Sequence, residues 1–482
     1  MPSNAFHLIS LGCAKNTVDS DSMAQLLARD GYRAVGDAAK ANVLIVNTCG
    51  FIGPAKQESI DILRELAESK REGQILIAAG CLTQRYGAEV AKQVPGVDGI
   101  LGTRRWMDIV QVVRELRKRA HSSTGSGLRP EPLYHLPVEA ATVGTNEADT
   151  VRASVAGASA YLKIADGCRR PCAFCAIPLI KGTAVSRPME TILNEARRLR
   201  DSGVRELILI AQDTTDYGHD LGMKDGLAIL LERLCDEVAP HPNPSPDGRG
   251  ARGEGGLDWI RVMYAYPGYV TDHLIEVMAT RKQVLPYLDM PLQHAHPKTL
   301  YRMRRPSNVD WVHETLGKMR SAIPNLAIRT TFIVGYPGET DDEFQALIDF
   351  VNEIRFDRVG TFQFSFEPGT TSEPLGDPIP AEVKQQRYEQ LMELQQNISL
   401  QINQSYVGKT LDVLVEGYDN GISIGRSYRD APEIDGLVLI EDKVEIGGIV
   451  PVKISGALAY DLTGVPVKFN IPIQIPNLTA KE

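Results

Sequence analysis

The 482-residue chain reads as an α/β multidomain protein: a small doubly wound amino-terminal domain, a partial (β/α)6 barrel and a small antiparallel β-barrel at the carboxyl end. Three observations predict this. Length alone gives about three domains at roughly 150 residues each. Short apolar runs alternate with helical patterns through positions 5–120 and again from about 160 to 370, as in parallel sheets covered on both faces. After a long polar helix the pattern changes to short β-rich runs set apart by Gly and Pro turns.

Each element follows in order. In the first domain, residues 1–120, positions 6–11 form a strand and 22–30 a helix with Met23, Leu26 and Leu27 on one face. Positions 42–47 and 74–79 are the next strands, with a helix around 58–70 between them. Their unbroken apolar centres fit strands buried on both sides. Residues 121–155, rich in Gly, Ser, Thr and Pro, read as a linker with little structure of its own. Six strand-like runs then occupy residues 156–395, at 161–165, 206–211, 259–265, 285–290, 327–334 and 358–366, each leading towards a helix. Six such units fit a partial barrel, whose ligands gather at the carboxyl ends of the strands. Residues 240–256, dense in Pro and Gly without apolar period, are expected to be a disordered surface insertion. After a helix at 381–404, the third unit, residues 400–472, has strands at 411–415, 436–440, 449–454 and 465–469.

Composition narrows the function classes. With 52 Lys and Arg against 61 Asp and Glu, the formal charge is −9, which argues against a protein held on DNA or RNA mainly by its own positive field. Hydrophobic residues at 43% exclude global disorder. No apolar run approaches the ~18 residues of a membrane span, and residues 1–16 lack the features of a secretory leader. The cytoplasm is the expected compartment. Seven cysteines are too sparse for a disulfide scaffold, and in a reducing compartment they point to metal or catalysis.

Six of the seven fall into two sets. Cys168, Cys172 and Cys175 are spaced CxxxCxxC just past the first strand of the middle domain. Thiolates are soft ligands, and a tight loop can set three of them on three irons of a cubane, leaving the fourth iron open. An open iron can chelate S-adenosylmethionine and deliver an electron to its sulfonium. The alternative is a structural zinc knot, which wants four ligands. Cys13, Cys49 and Cys81 each follow a strand of the first domain, in Leu11-Gly12-Cys13, Thr48-Cys49-Gly50 and Gly80-Cys81. Strand ends of a parallel sheet share one crevice, so three thiols there can converge on a second cluster, and adjacent glycines allow close approach. Singly, each is equally a small buried side chain. Cys235 lies in an apolar helix pattern and reads as core.

Two cysteine triads, a six-unit β/α barrel and a terminal β-barrel together resemble the methylthiotransferase family of radical S-adenosylmethionine enzymes, with its cluster domain and terminal TRAM domain. The resemblance covers nearly the whole chain. The family has two main branches, acting on an adenosine of transfer RNA or on an aspartate of a ribosomal protein. Ser10-Leu11-Gly12-Cys13-Ala14-Lys15-Asn16-Thr17-Val18-Asp19-Ser20 resembles the RimO pattern SLGCxKNxVDS of the second branch. Asn47-Thr48-Cys49-Gly50-Phe51-Ile52, Ala211-Gln212-Asp213-Thr214-Thr215 and Pro291-Leu292-Gln293-His294-Ala295 agree with it. Ala14 and Lys181 depart from the usual Pro and Arg.

The resemblance implies two 4Fe-4S clusters, one on Cys13, Cys49 and Cys81 and one on Cys168, Cys172 and Cys175. It also implies S-adenosylmethionine, used twice, and a methylthio group placed on the β-carbon of an aspartate in small-subunit ribosomal protein twelve. An electron donor such as flavodoxin or ferredoxin is implied as well. Polar contacts to the cofactor are expected from Gln212 and Asp213, Gln293 and His294, and Gly335, at the ends of the second, fourth and fifth barrel strands. Gly335 is otherwise a plain turn before an N-cap at Thr340, and His294 a hydrogen-bonded structural histidine. Phe174 either packs or lies beside the adenine.

The terminal unit carries a charge signal. Residues 401–470 hold six basic side chains (Lys409, Arg426, Arg429, Lys443, Lys453, Lys468) and ten acidic ones, a net of −4. An RNA-holding barrel needs positive surface, whereas an acidic one fits a basic protein. Asp430, Glu433, Asp435, Glu441 and Asp442 are the acidic candidates; a solvated surface without partner is the alternative.

Overall fold

The computed structural model describes residues 4–122, 131–137, 150–238 and 257–467, and the strands and helices below are those of these residues. The chain divides into two compact units, Met1–Gln395 and Gln396–Glu482.

The first unit begins with a parallel six-stranded sheet of β1 (Ala5–Ser10), β2 (Arg33–Ala34), β3 (Val43–Thr48), β4 (Ile75–Gly80), β5 (Gly99–Gly102) and β6 (Leu133–His135), in the order 2-1-3-4-5-6. Helices α1 (Ala14–Arg29) and α4 (Ile109–Ser122) cover one face, and α2 (Gly53–Ser69) and α3 (Cys81–Gln93) the other. Along β3, Val43 and Ile45 enter the first core with Met23 and Leu27, while Leu44 and Val46 enter the second with Ile60 and Leu63. Burial on both faces is why this strand reads as an unbroken apolar run. The chain passes from β1 to β2 on one side and then to β3 on the other, so the crevice between the carboxyl ends of β1 and β3 is the sheet's topological switch point.

Two features differ from the sequence reading. Helix α1 starts at Ala14, not 22. Beside Val18 its first turns bury the polar Asn16, Asp19 and Ser20, so no hydrophobic period marks them. Asn16 Nδ2 donates to Leu11 O at 2.7 Å and Asn47 O at 3.0 Å, and Ser20 Oγ donates to Ser10 Oγ at 2.8 Å. Within the stretch read as linker, β6 extends the first sheet, and β7 (Ala153–Ala156) pairs antiparallel with β8 (Ser159–Lys163) of the next.

A short antiparallel ribbon follows, β9 (Ala165–Asp166) with β10 (Val185–Ser186), bracketing α5 (Ile177–Lys181). The second sheet continues through β11 (Glu206–Ile210), β12 (Trp259–Val262), β13 (Val284–Asp289), β14 (Ala327–Val334) and β15 (Arg358–Gln363), in the order 15-14-13-12-11-8-7. From β8 to β15 every pairing is parallel, which gives the six β/α units of an open barrel. Helices α6 (Met189–Asp201), α7 (Gly226–Glu237), α8 (Asp272–Thr280), α9 (Pro297–Arg302), α10 (Val309–Ala322) and α11 (Asp341–Ile354) lie between the strands, and α12 (Ala381–Gln404) follows. Cys235 is buried in α7. The insertion expected at 240–256 lies outside the described residues.

The second unit is a closed barrel of β16 (Thr410–Asp419), β17 (Ile422–Ser427), β18 (Val438–Ile440), β20 (Leu462–Pro466) and β19 (Ile449–Ala457), around Val413, Val415, Val438, Ile440, Val452 and Ile454. All pairings are antiparallel except that of β18 with β20. Strand β17 is not among the strands predicted from the sequence, because its glycine and buried Arg426 break the apolar alternation. Of the last predicted strand, 465–469, residues 468 and 469 lie outside the described residues.

Candidate metal and cofactor site

The CxxxCxxC loop leaves the carboxyl end of β8 and runs into α5. Its arginines fasten it. Arg169 grips Asp216 through two nitrogens, and Arg170 Nε lies 2.5 Å from Asp213 Oδ2. The Arg170 guanidinium also stacks 3.6 Å above the Tyr269 ring, and that of Arg305 lies 4.1 Å from the Tyr266 ring. Arg305 Nη1 donates to Cys172 Sγ at 3.6 Å, and the Arg170 backbone N–H to Cys168 Sγ at 3.4 Å. Two adjacent arginines inside the loop were the sequence signal for this clamp, which the sequence reading missed.

The second triad surrounds the switch point. Cys13 stands in extended conformation at the start of α1, Cys49 follows β3, and Cys81 opens α3 directly after β4. The glycines next to them have a steric reason to be glycine. A Cβ on Gly12, at φ +95°, would sit 2.9 Å from Cys49 Cβ and 3.0 Å from its sulfur. One on Gly80, at φ +105°, would meet Thr48 O at 2.6 Å, and one on Gly50 would meet Leu82 Cα at 2.5 Å. Cys13 is solvent-accessible although protein surrounds it, as befits a side chain lining a crevice. Its thiol lies below the ordinary value: desolvation raises it, and Lys15, Lys181 and backbone N–H groups together outweigh that.

One buried charge network joins this crevice to the barrel. Asp19 of α1 contacts Lys163 at the end of β8, Arg152 Nη2 at 2.8 Å and Lys181 Nζ at 2.8 Å, and Asp166 faces the same cations. Asp19, Arg152 and Lys163 are each 1% exposed. Burial pushes Asp19 up, and the surrounding cations overcome it, so its carboxyl lies below the usual range. Further contacts seat the first sheet on the barrel: Lys56 and Arg85 with Glu367 at 2.5 and 2.7 Å, and Arg104 Nε with Ile180 O at 2.8 Å. Lys15 Nζ lies 3.2 Å from the centroid of the Tyr264 ring, at the end of β12.

The expected cofactor contacts divide. Gln212 follows β11, half-buried and without a hydrogen-bond partner among the described residues. Asp213 is committed to Arg170 and to Thr215 Oγ1 at 2.5 Å. Gln293 has φ 77°, an uncommon conformation for a side chain-bearing residue, and its backbone bridges to β14. His294 is buried, its Nδ1 accepting from the His296 N–H at 2.9 Å, while its Nε2 is unpartnered 4.0 Å from Glu339 Oε1. Burial lowers His294 to about 3 and raises Glu339 to about 7. At Gly335 the Cβ direction is filled by the Lys384 stem at 2.4 Å, and Thr340 does cap α11, in a capping box with Glu343. Phe174 packs against Met303, Ile333, Tyr336 and Phe364.

Both donor sets fit iron–sulfur clusters better than a lone ion. All six thiols are free and at least partly accessible, and each set is crowded by cations or N–H donors suited to anionic sulfur. Among the described residues no three His, Cys, Asp or Glu side chains are arranged to hold a single metal ion. A cubane takes each thiolate on a different iron and needs no such convergence.

In the second unit, Arg426 and Arg429 are 1% exposed; Arg426 is chelated by Glu416, with Nη2 to Oε1 at 2.6 Å. The surface cations among the described residues there shrink to Lys409, Lys443 and Lys453. Asp430, expected on the acidic surface, is instead buried and accepts from Ser427 Oγ at 2.7 Å. Glu433 and Glu441 are exposed.

Three regions match known families: residues 5–102 the Uncharacterized protein family UPF0004, residues 162–351 the Radical SAM superfamily and residues 407–467 the TRAM domain. Ribosomal protein uS12 methylthiotransferase RimO of Roseiflexus sp. (strain RS-1) is 46% identical over 475 residues, 96% of this chain and 97% of that one. The protein of the same name from Chloroflexus aurantiacus is 47% identical over 470 residues, 95% and 99% of the two chains. Among solved structures, the radical S-adenosylmethionine methyltransferase TsrM from Kitasatospora setae, with tryptophan and a cofactor analogue bound, aligns over 87% of this chain and 79% of that one. Its TM-score is 0.56 at 12% identity, a likeness of fold.

Proposed function

The chain belongs to the RimO family of radical S-adenosylmethionine methylthiotransferases, and from that premise we propose that it places a methylthio group on the β-carbon of an aspartate in ribosomal protein uS12. Membership makes it a transferase that takes S-adenosylmethionine and a 4Fe-4S cluster; to these we add a second cluster. Cys168, Cys172 and Cys175 hold the first and Cys13, Cys49 and Cys81 the second. A cluster held by Cys168, Cys172 and Cys175 would, with S-adenosylmethionine bound, supply the radical chemistry that no acid or base in the chain replaces at an unactivated carbon.

The protein's own groups position and shield. Arg169 and Arg170 hold the cysteine loop through Asp216 and Asp213. Gly12, Gly50 and Gly80 let three strand ends close on one crevice. Gln212, Gln293, His294, Gly335 and Phe174 border the cofactor, with Asp213 acting through Arg170. The acidic terminal barrel receives a basic protein, through Glu433 and Glu441 among others. An electron donor such as flavodoxin or ferredoxin supplies electrons, in the cytoplasm; no helix of the described residues is long and apolar enough to cross a membrane.

The observation that supports this reading most is the Asp19 network, which ties the helix after Cys13 to the helix after Cys175. Anaerobic incubation with reductant, S-adenosylmethionine and either uS12 or transfer RNA tests it. A methylthio mass is expected on uS12; the same mass on transfer RNA, with none on the protein, would contradict it.

A further inference from the structure

Four lysines among the described residues are less than a tenth exposed: Lys15, Lys163, Lys181 and Lys384. Three of them are neutralised. Lys163 contacts Asp19 and Asp166, Lys181 contacts Asp19 at 2.8 Å, and Lys384 contacts Asp377 at 2.5 Å. The Lys15 ammonium makes no hydrogen bond or ion pair among the described residues, and the residue is 7% exposed. Its close partner is the face of the Tyr264 ring, with the ammonium 3.2 Å from the centroid. Of the anionic groups in its field, Cys13 and Cys81 are given to iron in the reading above, and Asp289 is engaged by Arg329 at 2.9 Å and by the Tyr264 N–H at 3.2 Å.

A nearly buried lysine whose ammonium has no anion in contact is unfavourably placed, and a carboxylate brought to it relieves that. The position selects which carboxylate. Lys15 is two residues from the accessible Cys13 and leans on the end of β12, so it stands where the cysteine crevice of the first sheet faces the barrel's strand ends. An aspartate reaching that space has its carboxyl carbon bonded directly to the β-carbon, so fixing the carboxylate fixes the carbon to be modified.

We propose that Lys15 is the receptor for the side-chain carboxylate of the aspartate that is modified, with Tyr264 holding the ammonium in place. This rests on the uS12 reading above, and it makes Lys15 the residue that distinguishes aspartate from an isosteric amide.

The test uses the iron-loaded full-length enzyme and two ligands, uS12 and uS12 with the target aspartate changed to asparagine. Dissociation constants are read anaerobically in the presence of S-adenosylmethionine. The native enzyme should prefer the aspartate form by about 10- to 100-fold, the range for a hydrogen bond to a charged group. Lys15→Met, of similar volume, should bind both forms alike, and Lys15→Gln serves if Lys15→Met fails to load iron. Retention of the preference in either variant overturns the assignment, as does a native enzyme without preference. The two readings fail separately: if native enzyme modifies uS12 and the variants still discriminate, only the role of Lys15 falls. If uS12 is neither bound nor modified, the substrate reading falls and takes Lys15 with it.

Discussion

Asp19 and Lys181 meet carboxylate to ammonium at 2.8 Å with 1% and 5% of their side chains exposed. Asp19 is also the shared anion for Arg152 and Lys163. Replacing it by asparagine removes one of the two carboxylates that Lys163 and Lys181 face. Breaking such a group by removing one partner costs about 3–5 kcal/mol. Denaturant unfolding of Asp19→Asn should show a loss of that size; a loss below about 1 kcal/mol, the value of an exposed pair, would mean the network does not hold the first sheet to the barrel.

Gly12 sets the approach of Cys49. Alanine there combines a left-handed backbone with a Cβ 2.9 Å from Cys49 Cβ, so Cys49 must move. Gly12→Ala should lose about half the iron of an enzyme carrying two cubanes while still cleaving S-adenosylmethionine to deoxyadenosine. Gly36, with nothing within 4 Å of an added Cβ, is the control. Full iron in Gly12→Ala would contradict the assignment of the second triad.

His294 and Glu339 titrate in opposite senses. His294, lowered from 6.5 to about 3, contributes stability that is full above about pH 6.5 and lost as the pH falls. Glu339, raised from 4.5 to about 7, contributes stability that is full below about pH 4.5 and lost as the pH rises towards 7. Between those limits they offset one another. His294→Gln should therefore lose stability on raising the pH through this window, and Glu339→Gln on lowering it. Each change should reach roughly 3 kcal/mol, since a tenfold change in proton affinity on folding is worth about 1.4 kcal/mol. Unfolding free energy against pH in both variants checks this; two profiles like the parent's would contradict it.

Arg170 holds the cysteine loop to β11 through Asp213 and stacks on Tyr269. Arg170→Leu leaves buried Asp213 without its guanidinium, and Lys cannot reproduce a fork stacked on a ring. Deoxyadenosine formation without uS12 should fall at least about tenfold in both Arg170→Leu and Arg170→Lys, the range of a lost charged hydrogen bond. Wild-type rates in Arg170→Lys would show that charge alone suffices.

What could be read in the sequence was whatever repeats or sits at a strand end. Strand-like runs marked the six barrel strands, and the cysteines after strand ends could be singled out because a thiol there needs no partner to be noticed. The start of α1 was hidden because Asn16, Asp19 and Ser20 are buried by hydrogen bonds and charge, which leave no apolar period. For the same reason β17, with Arg426 in its interior, was missed. Asp213 and Gly335 stand where strand ends placed them, yet their contacts, with Arg170 and with the Lys384 stem, come from residues distant in sequence. Lys15 lies inside the motif around Cys13, but its lack of an anion in contact is visible only in three dimensions.

The most direct test of a radical taken to the β-carbon of an aspartate between two clusters is the deuterium content of deoxyadenosine formed with uS12 deuterated at that carbon. Deuterium in the deoxyadenosine, matched to methylthio gain on uS12, is the expected result. Unlabelled deoxyadenosine accompanying a methylthiolated uS12 would contradict it.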